Sequence, residues 1–491
     1  MKKFPVLLGI LMTLTVPSAW AQEGESDAAD TVTISFADAL HQLYEANGMI
    51  KMAGSEKKQS EYEKKATGGL RFPHVSLSAN YVAMSDPIHL DLTPVKDAIT
   101  PLYQTLAGYG SFSPDVATPQ IRQQLAAGLE QIEGTNWIQI IQKDRFGTVD
   151  ATMFWPLFTG GKIDAANKAA EIKVEVADAK LKATSAEQVS DLVQRYFGLR
   201  LAEKVVEVRR EVMEGMAKHL DDARKLEANG MIAAAERLHA EVAYADAERE
   251  FNKAQRDADL IRTSLQSTLE KNGNFFPSTS LFLTANLGDL EEFKSEALAN
   301  NPGLSQIQSK KMLADQGIKK EKSAWYPDVY MMGTANVYNK DLSEYMPDWY
   351  VGVGLKFDLF DGRARVNKIH AARSAKDQVE AYERKVRFDI QTAVTKLYLE
   401  MQNDNEQYQS LGKSLEFADE YLRVKNKAFQ QGLASSTDVV DASLNLSKTR
   451  IERLKVVYEF DVMLAKMLEI CGRSNDFETI RMNNQGISYE Q

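Results

Sequence analysis

The sequence predicts a mainly α-helical chain that carries part of a transmembrane β-barrel. Three observations point there: an export-type N-terminus, two internal copies of one strand-and-helix pattern, and, in each copy, a helical run too long for an ordinary globular domain. At 491 residues, with 44% apolar and 26% charged positions, the chain is long enough to build a sizeable core.

Residues 1–21 open with Lys2 and Lys3, continue with an apolar stretch from Phe4 to Val16, and end on Ala19-Trp20-Ala21, the small-x-small pattern of a cleavage site. The apolar stretch is shorter than the roughly 20 residues that span a bilayer, so it reads as a secretory signal peptide and not as an anchor. An exported chain belongs to the periplasm, the exterior or the outer membrane, and only a closed β-barrel spans the last.

The copies divide the mature chain into a first repeat at 22–272, a linker at 273–290, a second repeat at 291–472 and a tail at 473–491. Phe158 falls on Phe360, Gly160 on Gly362, Tyr196 on Tyr398 and Gly230 on Gly432, each 202 positions apart. Upstream, Asn47 falls on Asn301 and Pro73 on Pro327, 254 positions apart, so the first copy holds 52 extra residues between Val75 and about Phe146. Pro87, Pro94, Pro101, Pro114 and Pro119 lie in that insertion, which reads as an enlarged loop with some helix at about 116–133.

Each copy begins with a helix, 36–70 or 291–324, and continues into two strands. Val75, Leu77, Ala79 and Tyr81 alternate with polar residues, as do Val149, Ala151, Met153 and Trp155. The second copy repeats the pattern in Val329–Val337 and in Trp349, Val351, Val353, Leu355 and Phe357. Strands of about ten residues with aromatics near their ends suit a tilted membrane crossing. A half-buried soluble sandwich would produce the same alternation. Pro156 and Gly160, and Gly362 in the second copy, mark the passage from strand to helix.

Long helices follow at 162–229 and 363–431. In the first, Leu201, Val205, Val208, Val212, Met216, Leu220, Ala223 and Leu226 draw one apolar stripe at helical spacing. At 1.5 Å per residue each long helix reaches about 100 Å. Glycine then turns the chain into a shorter helix, 232–270 or 434–471, and two short helices can stack end to end beside each long one. Four strands cannot close on themselves in lipid, so the chain has to oligomerise. Two copies give eight strands and a filled interior, whereas three give twelve and room for water.

Composition removes other function classes. Lys and Arg total 59 against 69 Asp and Glu, for a net charge of -10, and that leaves no basic footprint for nucleic acid. Cys471 is the sole cysteine, so thiol-based zinc clusters and CxxC redox pairs are excluded. Six histidines are scattered without a zinc-protease motif. Gly352-x-Gly354 lacks a third glycine, and Gly161-Lys162 lacks the rest of a phosphate loop. No catalytic, cofactor or metal constellation emerges, and the chain does not read as an enzyme.

The segments FTGGK at 158–162 and FDGRA at 360–364, ALANNP at 297–302, FPHVSLSANY at 72–81, YPDVYMMGTANVY at 326–338 and above all GLASSTDVVDA at 432–442 resemble the TolC family of outer-membrane efflux proteins. The likeness covers essentially the whole mature chain. It implies a homotrimer with a twelve-stranded outer-membrane barrel, four strands per chain, on a long periplasmic α-helical barrel. The 273–290 linker and 473–491 tail would form an equatorial collar, and the insertion an extracellular loop. It also implies an exit duct for efflux or type I secretion. The partners it implies are outer-membrane lipid, a periplasmic adaptor (membrane fusion protein) and an inner-membrane transporter of RND, ABC or MFS type.

In that family aspartates spaced G-x5-D-x2-D after the second helical turn ring the periplasmic entrance, and Gly432, Asp438 and Asp441 match the spacing. The first-copy equivalents are Gly230, Glu236 and His239. Six carboxylates from three chains near one axis would repel, raising their pKa values and favouring cations. Ser435-x-x-Asp438 is equally a capping box, which accounts for Asp438 without any gate, though not for Asp441. The arginine that some members carry two residues after this glycine is replaced by Ala434, which puts a salt-bridge lock in doubt. Gly230-Met231-Ile232 and Gly432-Leu433-Ala434 read as helix-ending turns, and the resemblance makes them adaptor-contacting tips. The alternative reading of the whole chain is a soluble periplasmic coiled-coil scaffold.

Overall fold

The computed structural model describes residues 31–112, 119–284 and 287–483. The expected signal peptide and the end of the tail lie outside them. Two compact units emerge, and each takes segments from both sequence copies: one includes residues through Lys51, Ala183–Asn301 and the chain from Ile390 onward, the other Met52–Lys182 and Pro302–Asp389.

In chain order the elements are β1 (Thr31–Ile34), α1 (Phe36–Ala46), α2 (Gly48–Gly68), β2 (His74–Ala83), β3 (Ile88–Asp91), α3 (Thr93–Phe112), α4 (Pro119–Gly134), β4 (Ile138–Gln142), β5 (Arg145–Phe158) and α5 (Lys162–Ala228). Then follow α6 (Ala234–Leu269), β6 (Asn274–Pro277), α7 (Leu290–Asn300), α8 (Pro302–Ser323), β7 (Asp328–Lys340), β8 (Trp349–Lys356), α9 (Ala364–Gln430), α10 (Ser436–Ile470) and α11 (Asp476–Asn483). The long helices α5 and α9 have 67 residues each. Among the described residues no helix is long and apolar enough to cross a membrane.

The second unit contains a four-stranded antiparallel sheet in the order β2-β5-β7-β8. Its register separates two faces. Val75, Met153, Gly333 and Val351 share one row, and Leu77, Ala151, Ala335 and Trp349 the next. Ser76, Thr152, Thr334 and Tyr350 lie on the opposite face, with Ser78, Asp150 and Asn336 behind them. Asp150 is held there by Thr148 at 2.7 Å and by Asn336 at 2.9 Å. The apolar face is uncovered in the chain, Leu77 being 70% and Leu355 66% exposed. Ion pairs tie the helices of this unit to one another: Lys57 to Asp178, Lys180 to Glu56, and Lys376 to Asp315.

In the first unit β1 and β6 pair in parallel. Phe36 packs on Tyr196, Phe197 and Phe477 with ring centroids 5.3–5.4 Å apart. The Tyr196 hydroxyl donates to Ile34 O at 2.7 Å and accepts from Thr279 N at 3.1 Å, which pins β1 and the segment after β6 to α5.

Three expectations change. The entry helices expected at 36–70 and 291–324 are each broken at an asparagine. Asn47 leaves helical geometry (ψ 120°), its N–H donates to Leu43 O, and its Oδ1 accepts from Met49 N and Ile50 N, so one residue ends α1 and starts α2. Asn301 (ψ 119°) does the same before Pro302, because a residue preceding proline avoids the helical region.

The insertion holds more structure than the expected helix at 116–133: α3 and α4 are both present, and β3 pairs with β4. Pro119 opens α4, where its missing N–H costs nothing, while Pro101 lies inside α3. Pro156 belongs to β5 and marks a register shift rather than the strand-to-helix passage. That passage is made by Gly160 (φ +58°) and Gly161 (φ +87°), and in the second copy by Gly362 (φ +62°) and Arg363 (φ +70°).

Candidate functional site: the helical tips

Each long helix ends in the same backbone device. Gly230 and Gly432 both have φ +70°. Met231 N donates to Leu226 O and Gly230 N to Glu227 O; Leu433 N and Gly432 N repeat the pair on Ala428 O and Phe429 O, at 2.8–2.9 Å throughout. This is the Schellman closure, which requires a left-handed residue and therefore favours glycine.

The six tip residues divide into three pairs. Gly230 and Gly432 make the turns. Ile232 and Ala434 pack on a small core of Leu220, Ala223, Ala240, Phe429 and Val439. Met231 and Leu433 point outward, 55% and 77% exposed.

Both predicted gate residues lie on α10. Ser435 is its N-cap; its side chain accepts from Asp438 N, and the Asp438 carboxylate returns a bond to Ser435 N at 3.0 Å. The capping box foreseen in the sequence is therefore formed. The other Asp438 oxygen lies 2.7 Å from Lys425 Nζ on α9. Within the single chain the lysine, aided by the Ser435 bonds, holds the carboxyl well below the usual range. Repulsion between copies would have to overcome that pairing. Asp441 is exposed, one turn further on, and enters no ion pair among the described residues.

Glu236, the first-copy equivalent of Asp438, caps a different helix. Its Oε2 accepts from Ser436 N of α10 at 2.7 Å, and α6 itself begins at Ala233 without a side-chain cap. Glu236 therefore joins the two hairpins.

Ser436 is fully buried, and its Oγ lies 2.8 Å from His219 Nε2 and 3.3 Å from His239 Nδ1. The His219 ring also packs on Phe429, 4.5 Å between centroids. Burial pushes the His219 pKa down; His239 adds to this, while Asp222 and Glu236 oppose it. The N-terminus of α10 beside it disfavours a positive ring for the same reason that it favours carboxylates. His219 escaped the sequence reading because nothing near it in the sequence marks its role. Its partner Ser436 is 217 residues away.

The family model of the outer membrane efflux protein matches residues 143–269 and 294–473, well over half of the chain. The chain belongs to this family. Membership places it in the outer membrane and among efflux proteins. No curated protein sequence matches it significantly. Solved structures share the fold of this family member at low sequence identity. The outer membrane protein VceC of Vibrio cholerae matches with a TM-score of 0.68 at 15% identity, over 89% of this chain and 96% of that one. The Campylobacter jejuni CmeC outer membrane channel matches with 0.68 at 13% identity, over 97% and 99%. The Neisseria gonorrhoeae MtrE outer membrane channel, in its open state, matches with 0.64 at 14% identity, over 89% of each.

Proposed function

We propose that this outer membrane efflux protein acts as a homotrimeric exit duct, without covalent chemistry of its own. In this reading it receives small molecules or proteins from an inner-membrane pump and a periplasmic adaptor. The observation that carries the reading is the β2-β5-β7-β8 sheet. One face is apolar and exposed, the other polar, and β2 and β8 are its two edges. An open edge in hydrocarbon leaves N–H and C=O groups unpaired at several kcal/mol each. Pairing β2 of one copy with β8 of the next removes every edge when three copies close twelve strands around a wet lumen. Val75, Leu77, Val351 and Leu355 then face outer-membrane lipid, and Ser76, Thr152 and Asn336 face water.

The two repeats, 22–272 and 291–472, supply equivalent halves of the duct, with 273–290 and 473–491 as an equatorial collar and 1–21 removed on export. Asp438 and Asp441 ring the periplasmic entrance, and the two turns meet the adaptor.

The test is reconstitution. Purified protein should run as a heat-modifiable trimer and open discrete conductances in planar bilayers. A detergent-extracted monomer that is silent in bilayers would refute the duct and return the soluble scaffold to consideration.

A further inference from the structure

The polar face of the sheet changes character next to the helices. Ser76, Thr152 and Thr334 lie in register across it, with Ser76 Oγ 2.7 Å from Thr152 Oγ1. Two residues along, the same face reads His74, Phe154 and Met332, and then Pro156, Tyr330 and Gly354. The Phe154 and Tyr330 rings are 5.2 Å apart. A cleft of about 690 Å³ opens there, walled by Leu70, Phe72, Phe154, Pro156, Ile163 and Tyr330. That volume lies within the range of small-molecule sites, roughly 300–1,000 Å³.

The lining of this apolar cleft is cationic. Lys162, Lys320 and Lys356 face a single carboxylate, Asp328, in a chain whose net charge is -10. Lys57, Lys180 and Lys376 of the same unit are each paired with a carboxylate at 2.6–2.9 Å. Lys320 has only a loose contact at 3.9 Å with its neighbour Glu321, and Lys162 and Lys356 enter no ion pair among the described residues.

Two close approaches preform the site. A Cβ at Gly160 would lie 2.6 Å from Ser323 O, so the turn into α5 rests against the end of α8 and brings Lys162 and Lys320 to one rim. A Cβ at Gly354 would lie 2.5 Å from the Tyr330 ring, so glycine is what lets that ring cover the strand.

We propose that this cleft binds amphiphilic organic anions with an aromatic or alkyl body and one carboxylate or sulfonate head. The body is removed from water against the aromatic wall, and the head meets the lysines. The cleft opens on the polar face, opposite Val75 and Leu77, so its occupant is a soluble molecule and not a membrane lipid. Binding depends on the cleft alone; only its role as a station for cargo rests on the duct reading.

The full-length mature protein in zwitterionic nanodiscs would be titrated calorimetrically with naphthalenesulfonate and, separately, with naphthylmethylammonium, empty discs serving as the blank. Saturable sulfonate binding is expected, at least about tenfold tighter than the cation. Lys162→Glu with Lys356→Glu should weaken it by about tenfold or more, and Ala166→Trp, which fills the cleft, should abolish it while trimers persist. Equal binding of the two probes, unchanged binding in the lysine variant, or no binding to the wild type because a second copy covers the cleft would each overturn the proposal. Conductance measured on the same preparation separates the two readings. Protein that conducts without binding loses only this site, and protein that binds without conducting loses only the duct.

Discussion

Lys425 Nζ on α9 lies 2.7 Å from Asp438 Oδ1 on α10, while Asp438 Oδ2 accepts from Ser435 N and Ser435 Oγ at 3.0 and 2.8 Å. One carboxylate thus both starts α10 and fastens it to the helix before the turn. The first hairpin is fastened differently, by Glu227 on α5 to Arg237 on α6 at 2.7 Å. The ion pair inside the second hairpin offers a chain-internal means of holding the proposed gate residue where Ala434 cannot.

Asp438→Asn should keep an oxygen for the cap and lose the ion pair, whereas Asp438→Ala loses both. Amide exchange at residues 434–440 should therefore quicken from wild type to Asn to Ala, read by hydrogen–deuterium exchange. The Asp438 pKa is depressed from 3.8, so its contribution is present above pH 3.8 and lost as the pH falls through its lower folded value. Between pH 5 and 8 this carboxylate should contribute no pH dependence. Equal exchange in all three proteins would show that the clamp does not hold the tip.

His219 predicts a loss on acidification in the same place, but in a higher pH window. Its folded pKa is pushed below 6.5, so the buried ring is stable when neutral, and the tip weakens as the pH falls from 6.5 through that lower value. Protonating the His219 ring would set a cation against Ser436 Oγ and the positive end of α10. His219→Phe should remove most of the loss between pH 7 and 5, at some cost at neutral pH from the lost bond to Ser436 Oγ, about 0.5–1.5 kcal/mol, His239 remaining as its partner. The readout is local exchange at residues 216–222 and 436–440 as a function of pH. A wild-type tip indifferent to acid would count against the coupling.

What the sequence could show is what repeats or has a period. Gly230 and Gly432 were visible because a helix-ending glycine recurs at one offset, and the sheet strands because alternation lasts for several residues. Asn47 and Asn301 were aligned as equivalents, yet the break at Asn47 depends on side-chain bonds to Met49 N and Ile50 N that leave no periodic trace. β1 has only four residues and pairs with β6 more than 240 positions away, so neither strand carries its own signal. The tip shows the same limit. The Ser435–Asp438 cap is local and was legible, whereas Lys425, Glu236 and His219 reach α10 from three other helices and only folding brings them there.

Gly472 tests the packing of the turn after α10. It has φ +69°, and a Cβ would lie 2.6 Å from Asn300 O, a backbone atom next to the Asn301 break. Gly472→Ala should destabilise by roughly 2 kcal/mol or more, since a left-handed alanine alone costs about 1 kcal/mol and the clash can be relieved only by moving backbone. A fall in the thermal midpoint of the purified protein would register it. An unchanged midpoint would mean that α7 and the turn after α10 are less tightly apposed than they stand here.

Leu433 and Met231 test the adaptor contact. Both project from turns whose neighbours Ala434 and Ile232 are already committed to the core, so they add nothing to folding that burial can explain. Exposed apolar residues at an otherwise polar helical end are the surface a helical partner would cover. Met231→Asp with Leu433→Asp should leave trimer yield and bilayer conductance unchanged, because neither side chain is packed, and should abolish efflux in cells that depend on this duct. The matched variant Ile232→Asp should instead lower the yield of folded protein, since it places a charge against Leu220 and Phe429. Normal efflux in the exposed-pair variant would remove the tips from the docking surface, whatever the outcome for the duct itself.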